Sequence, residues 1–145
     1  MTSASIDWAR LGLDTSVTLR LLTGVPEDQA EAARLLVATA AQPIAVSDLV
    51  VSETYFALRH HYAVPQAEAV AAIAALLDDP RIRGAGSARA VLRALPLDGG
   101  TAPRPGLIDR LIHADYGRDD VALATLDRDL GRLEGVRLMT GNSAG

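Results

Sequence analysis

The feature that most constrains the fold is an alternation of two patterns along the chain. Short, mostly apolar runs stand at 11–13, 43–46, 121–125 and 136–139, with a minimal strand over Arg81-Ile82-Arg83. Between them lie longer stretches whose apolar residues recur at helical spacing. Runs this short do not make core helices, and an apolar run without polar alternation is the mark of a strand covered on both faces. Parallel strands need crossover segments, usually helices, to connect them. The alternation therefore predicts an α/β domain with a mainly parallel sheet.

Local signals place the helices. Asp14-Thr15-Ser16 ends the first run and caps a helix over 17–22, which Gly24 stops. Pro26-Glu27-Asp28 opens the next helix with acids in its first turn, where the helix dipole favours them. Ser47 caps a helix reaching about Tyr62, and Val64-Pro65 breaks the chain there. Further helices are expected over 66–77, 87–95 and 106–116, a loop over 97–105, and a polar turn from Asp127. The small, polar residues 140–145 should fray. At roughly 100–200 residues per domain, residues 1–145 read as one domain with its core at about 11–139.

Composition then removes whole classes of chemistry. All 14 basic residues are Arg, and there is no Cys. Without Lys there is no Walker A loop, no Schiff base and no lysine-assisted phosphatase of the haloacid-dehalogenase type. Without Cys there is no disulfide framework, thiolate zinc site or thiol nucleophile. Any metal must be held by Asp, Glu, His or backbone oxygen. One Phe, one Trp and three Tyr argue against a base-stacking platform, and the net charge of −4 gives no global pull towards nucleic acid. The basic residues are nevertheless uneven: Arg81, Arg83, Arg89, Arg93, Arg104 and Arg110 face only Asp98 and Asp109 within 81–110. They read either as a solvated face or as phosphate contacts. No start resembling a signal peptide and no run of ~18 apolar residues is seen, so a cytoplasmic protein without membrane association is expected.

In an open parallel sheet, ligands bind beyond the carboxyl ends of the strands. Asp14 follows the first strand and Asp127 follows the 121–125 strand. If those strands are neighbours, about 4.8 Å apart, both carboxylates enter one crevice. Glu53 lies between Val50-Val51 and Phe56-Ala57, and Asp109 lies within Leu107-Ile108-Asp109-Arg110-Leu111-Ile112. An acid on a core-facing helix stripe needs a partner, here Arg or a cation. Each acid also has a plain structural reading. Asp14 is a helix cap, Glu53 a surface residue, Asp109 a first-turn acid and Asp127 a turn residue. It is their joint occurrence that favours an acidic site. His113, four residues after Asp109, is a further candidate ligand or proton carrier. His60-His61 read as a solvated pair at a helix end.

The array Leu13-Asp14-Thr15-Ser16-Val17, Ser52-Glu53, Leu107-Ile108-Asp109 and Ala124-Thr125-Leu126-Asp127-Arg128-Asp129 resembles the PIN-domain family. It looks most like the VapC-type toxin ribonucleases of bacterial toxin–antitoxin pairs. The resemblance implies a three-layer α/β/α fold with a parallel five-stranded sheet of order 3-2-1-4-5. It implies a metal-dependent endoribonuclease in which Asp14, Glu53, Asp109 and Asp127 are catalytic. Of these, Asp14, Asp109 and Asp127 would hold Mg²⁺ or Mn²⁺. Thr15, Ser16 and Thr125 match small hydroxyl positions lining the family's pocket, and Asp129 matches an often-acidic outer position. The implied partners are a VapB-type antitoxin, an RNA substrate such as transfer or ribosomal RNA, and a second copy in a homodimer. Two departures stand out: His113 occupies a position where the family usually has a small residue, and about ten residues precede the first strand. Two other functions compete with the toxin. One is a PIN nuclease of RNA processing; the other is a non-catalytic interaction module whose acids bind a cation.

Overall fold

The computed structural model describes residues 5–96 and 103–140. Of the loop expected over 97–105, residues 97–102 lie outside the described residues. The same holds for residues 141–145 of the expected tail. The chain divides into two compact units, Met1–Arg89 and Ala90–Gly145.

The first unit is built on a parallel ladder of β1 (Gly12–Leu13), β2 (Ile44–Val46) and β3 (Ile82–Gly84) in the order β1-β2-β3. Leu13 pairs with Val46, and Ile44 with Ile82. The β2 residues Ile44 and Val46 are each only 1% exposed, so this strand is the apolar centre of the ladder. Four helices accompany it: α1 (Thr15–Thr23), α2 (Glu27–Thr39), α3 (Asp48–His60) and α4 (Gln66–Asp78). Asp14 caps α1, and Ser47 caps α3 through a bond from the Val50 amide. Gly24 ends α1 at φ 73°, a left-handed conformation that favours glycine. Val51, Val70, Ile73 and Leu77, each 1% exposed, are among the helix residues that pack the core.

A long-range bond fixes the far end of this unit. Asp48, in the first turn of α3, accepts the amides of Ser87 (2.9 Å) and Ala88 (3.0 Å). These amides open α5 (Ala88–Ala94). The carboxylate lies directly over Gly86, which has room for it only because it lacks a Cβ.

The second unit contains α6 (Leu107–Arg118), β4 (Leu123–Thr125), a 3₁₀ turn over Leu130–Arg132 and β5 (Val136–Leu138). Leu107 and Leu111 are its buried helix residues. β4 and β5 form a second parallel ladder, with Leu123 opposite Val136 and Thr125 opposite Leu138. The α/β class and the parallel pairings agree with the sequence reading. The single five-stranded sheet of order 3-2-1-4-5 does not: the strands form ladders of three and two. β1 has only two residues, so it offers few donors and acceptors to any neighbour beyond β2.

Candidate functional site

The expected acids fall two to each unit. In the first, Asp14 sits at the end of β1 as the N-cap of α1. Its Oδ1 accepts the Ser16 hydroxyl at 2.6 Å and the Val17 amide at 3.0 Å. These bonds, the Ser16 hydroxyl first, hold the carboxyl below its usual range, so it is ionised at neutral pH. The capping role is therefore real, and it also orients the carboxylate. Glu53 is exposed on α3. It lines an open pocket of about 370 Å³ together with Thr15, Ser52, Phe56, Ala57 and His61. Two expected residues, Thr15 and Glu53, thus meet at one concavity.

In the second unit, Asp109 lies in the first turn of α6 and is half-buried. Burial pushes its carboxyl up, and the negative charge of Asp127 pushes it further in the same direction. Asp127 follows β4. Its Oδ1 accepts the amides of Asp129 (2.7 Å) and Leu130 (3.0 Å), which shapes the 3₁₀ turn. Thr125 Oγ1 accepts the Asp127 amide at 3.0 Å, so this hydroxyl sets the backbone that carries the acid. Asp129 is 3.6 Å from Arg132 across the same turn. Asp109 and Asp127 come within electrostatic reach although 18 residues separate them in sequence. Among the described residues, no Arg forms an ion pair with Asp109.

Within the second unit, the Asp109 and Asp127 carboxylates suit a hard divalent cation, which would offset their repulsion. Among the described residues of either unit, no three Asp, Glu or His side chains stand together as a complete metal cage.

The remaining expectations are revised by their contacts. His113 Nε2 is 2.6 Å from the Glu134 carbonyl oxygen. With this nitrogen donating to the carbonyl, the contact ties α6 to the approach of β5 and engages the atom that the ligand reading would use. Arg81 pairs with Asp79 at 2.8 Å and holds that carboxyl down at about 2. Arg89 is 3.2 Å from Asp78, and Arg110 donates to the Pro105 carbonyl at 2.8 Å. Arg83, Arg93 and Arg104 are exposed. The Arg-rich stretch thus has structural duties at Arg81, Arg89 and Arg110 among others.

Two features escaped the sequence reading. Asp48 was hidden because its partners lie about forty residues away, although Gly86-Ser87 before a helix is a sign of a special N-terminus. Phe56 enters the sequence reading only as an apolar neighbour of Glu53, yet it is 51% exposed. No helix among the described residues is long and apolar enough to cross a membrane. Comparison with family models matches residues 12–136 to the PIN domain. No curated protein matches the chain.

Proposed function

The chain belongs to the PIN-domain family, whose members are generally metal-dependent nucleases, and from that premise we propose that it is a metal-dependent endoribonuclease. We further read it as the toxin of a type II toxin–antitoxin pair. It would act as one PIN-like domain in the cytoplasm, be restrained by a VapB-type antitoxin, and self-associate as a homodimer. The observation that carries the nuclease reading is the pair Asp109 and Asp127. A half-buried acid that feels the charge of a second acid, with no Arg paired to it among the described residues, is an arrangement that a cation stabilises.

In this reading Asp14, Asp109 and Asp127 hold Mg²⁺ or Mn²⁺, and Glu53 is the fourth catalytic carboxylate. A metal held there would supply Lewis acidity towards water and positive charge towards the phosphoryl oxygens. The protein's part is positioning. Ser16 and the Val17 amide aim Asp14, and Thr125 sets the backbone of Asp127. Thr15 stands beside Glu53 at the pocket wall, and Asp129 is an outer acid. Arg83, Arg93 and Arg104 are exposed, and among the six Arg candidates for phosphate contact Arg81, Arg89 and Arg110 would have to leave Asp79, Asp78 and the Pro105 carbonyl to contribute.

The test is cleavage of total cellular RNA by the purified protein with Mn²⁺ or with EDTA, beside the Asp109→Asn variant. Discrete fragments are expected only with metal and only from the wild type. Metal-independent cleavage, or equal cleavage by Asp109→Asn, refutes the assignment. A melting curve with millimolar Mg²⁺ or Mn²⁺ gives an independent readout. A metal that binds only the folded chain raises Tm.

A further inference from the structure

Along α3, Leu49, Glu53, Phe56 and His60 recur at helical spacing and all are exposed. The helix has an unusual outer face, because Phe56 is the sole Phe of the chain and half of it meets solvent. Its ring centroid is 4.4 Å from that of His60, at 46°, and 6.2 Å from that of His61, edge-on at 71°. Three rings therefore cluster at the C-terminal end of α3. Phe56 and His61 also line the pocket of about 370 Å³ that holds Glu53, Thr15 and Ser52. That volume lies in the range of roughly 300–1,000 Å³ typical of small-ligand sites.

The lining identifies the kind of ligand. A flat apolar ring wants a flat partner, while the Ser52 and Thr15 hydroxyls, the His61 imidazole and the Glu53 carboxylate want polar edges. A purely apolar helix laid here would strip water from those polar groups without replacing their hydrogen bonds. A nucleobase satisfies both demands, since its face stacks and its edge carries donors and acceptors. The low aromatic count argues against a platform running along a strand of bases, but one ring suffices for one base, and we propose that Phe56, flanked by His60 and His61, stacks a single RNA base in the pocket beside Glu53. The proposal rests on the nuclease reading and deepens it. The substrate would present an unpaired base next to the cleaved bond, so the enzyme favours loops and single strands over duplex.

A direct test uses Phe56→Trp in a Trp8→Phe background, so that the new indole is the only one. Its fluorescence is titrated with adenosine 5′-monophosphate and with ribose 5-phosphate, neither of which holds a bond for an endonuclease to cut. Saturable quenching by the nucleotide alone is expected. In parallel, RNA cleavage by Phe56→Ala should lose roughly 5- to 160-fold in kcat/KM, the range of one stacked base. Phe56→Tyr should restore it and Phe56→Leu should not. Equal quenching by both probes, no quenching, or rescue by Leu overturns the proposal; rescue by Leu would mean that Phe56 only packs. If Phe56→Ala cleaves normally but sediments as a smaller species, the face is a protein interface and the proposal falls. These outcomes separate from failure of the nuclease reading, which shows as absence of metal-dependent cleavage by the wild type.

Discussion

Gly86→Ala is expected to destabilise the protein through one carboxylate. A Cβ at Gly86 would stand 2.4 Å from Asp48 Oδ2, 2.6 Å from Cγ and 2.7 Å from Oδ1. No carboxylate atom can stay in place at such separations, so the whole group must swing away. It then gives up the Ser87 and Ala88 amides. Hydrogen bonds to a charged acceptor contribute about 1.5–3 kcal/mol each, and partial access of water to the freed amides brings the joint loss to about 2–4 kcal/mol. For a chain of this size 1 kcal/mol moves Tm by roughly 3 °C, so a fall of roughly 6–12 °C is expected by circular dichroism. The control is a double-mutant cycle with Asp48→Ala. Once the carboxylate is gone, Gly86→Ala should change Tm little. If Gly86→Ala costs nothing in the wild type, or costs the same in both backgrounds, the carboxylate lock is not what Gly86 serves.

Four further outcomes follow from the same contacts. Asp109 has a folded-state carboxyl raised above its unfolded value, so its ionisation opposes folding above that value and the penalty disappears as pH falls through it. Asp109→Asn should therefore raise Tm in metal-free buffer at neutral pH, with the gain shrinking in acid; a pH-independent or negative shift refutes this. Asp14 has the opposite sign: its lowered carboxyl stabilises the fold above about pH 4 and loses that contribution as pH falls through the folded value. Asp14→Ala should cost about 1 kcal/mol in chemical denaturation through the lost cap, and Asp14→Asn much less, while both abolish metal-dependent cleavage. Arg81→Ala should move the Asp79 carboxyl from about 2 towards 3.8 in an NMR titration, and no movement would free Arg81 from its present duty. His113→Ala should remove the bond to the Glu134 carbonyl and lower Tm without changing the Mn²⁺ concentration for half-maximal cleavage; a higher requirement would restore it as a ligand.

Local order was largely legible in the amino-acid sequence by itself. Asp14, Ser47 and Gly24 mark helix ends through bonds that reach only three or four residues, so the chain need not be folded for their meaning to be read. The strands at Ile44–Val46 and Val136–Leu138 and their parallel pairing followed from apolar runs separated by crossover segments. Asp14 and Asp127 stand just beyond strand ends for the same reason, since that is a feature of position along the chain. Tertiary structure alone decided the rest. The strands form ladders of three and of two, and pairing between residues so far apart in sequence is decided only on folding. Asp48 reaching Ser87 and Ala88, His113 reaching the Glu134 carbonyl and Asp109 feeling Asp127 all join residues separated by 18 to 40 positions. Phe56 faces solvent because its neighbours on α3, not its own hydrophobicity, settle which side of the helix the core takes. Periodicity and capping act over one or two turns, whereas these contacts exist only after the intervening loops have closed and the helices have packed.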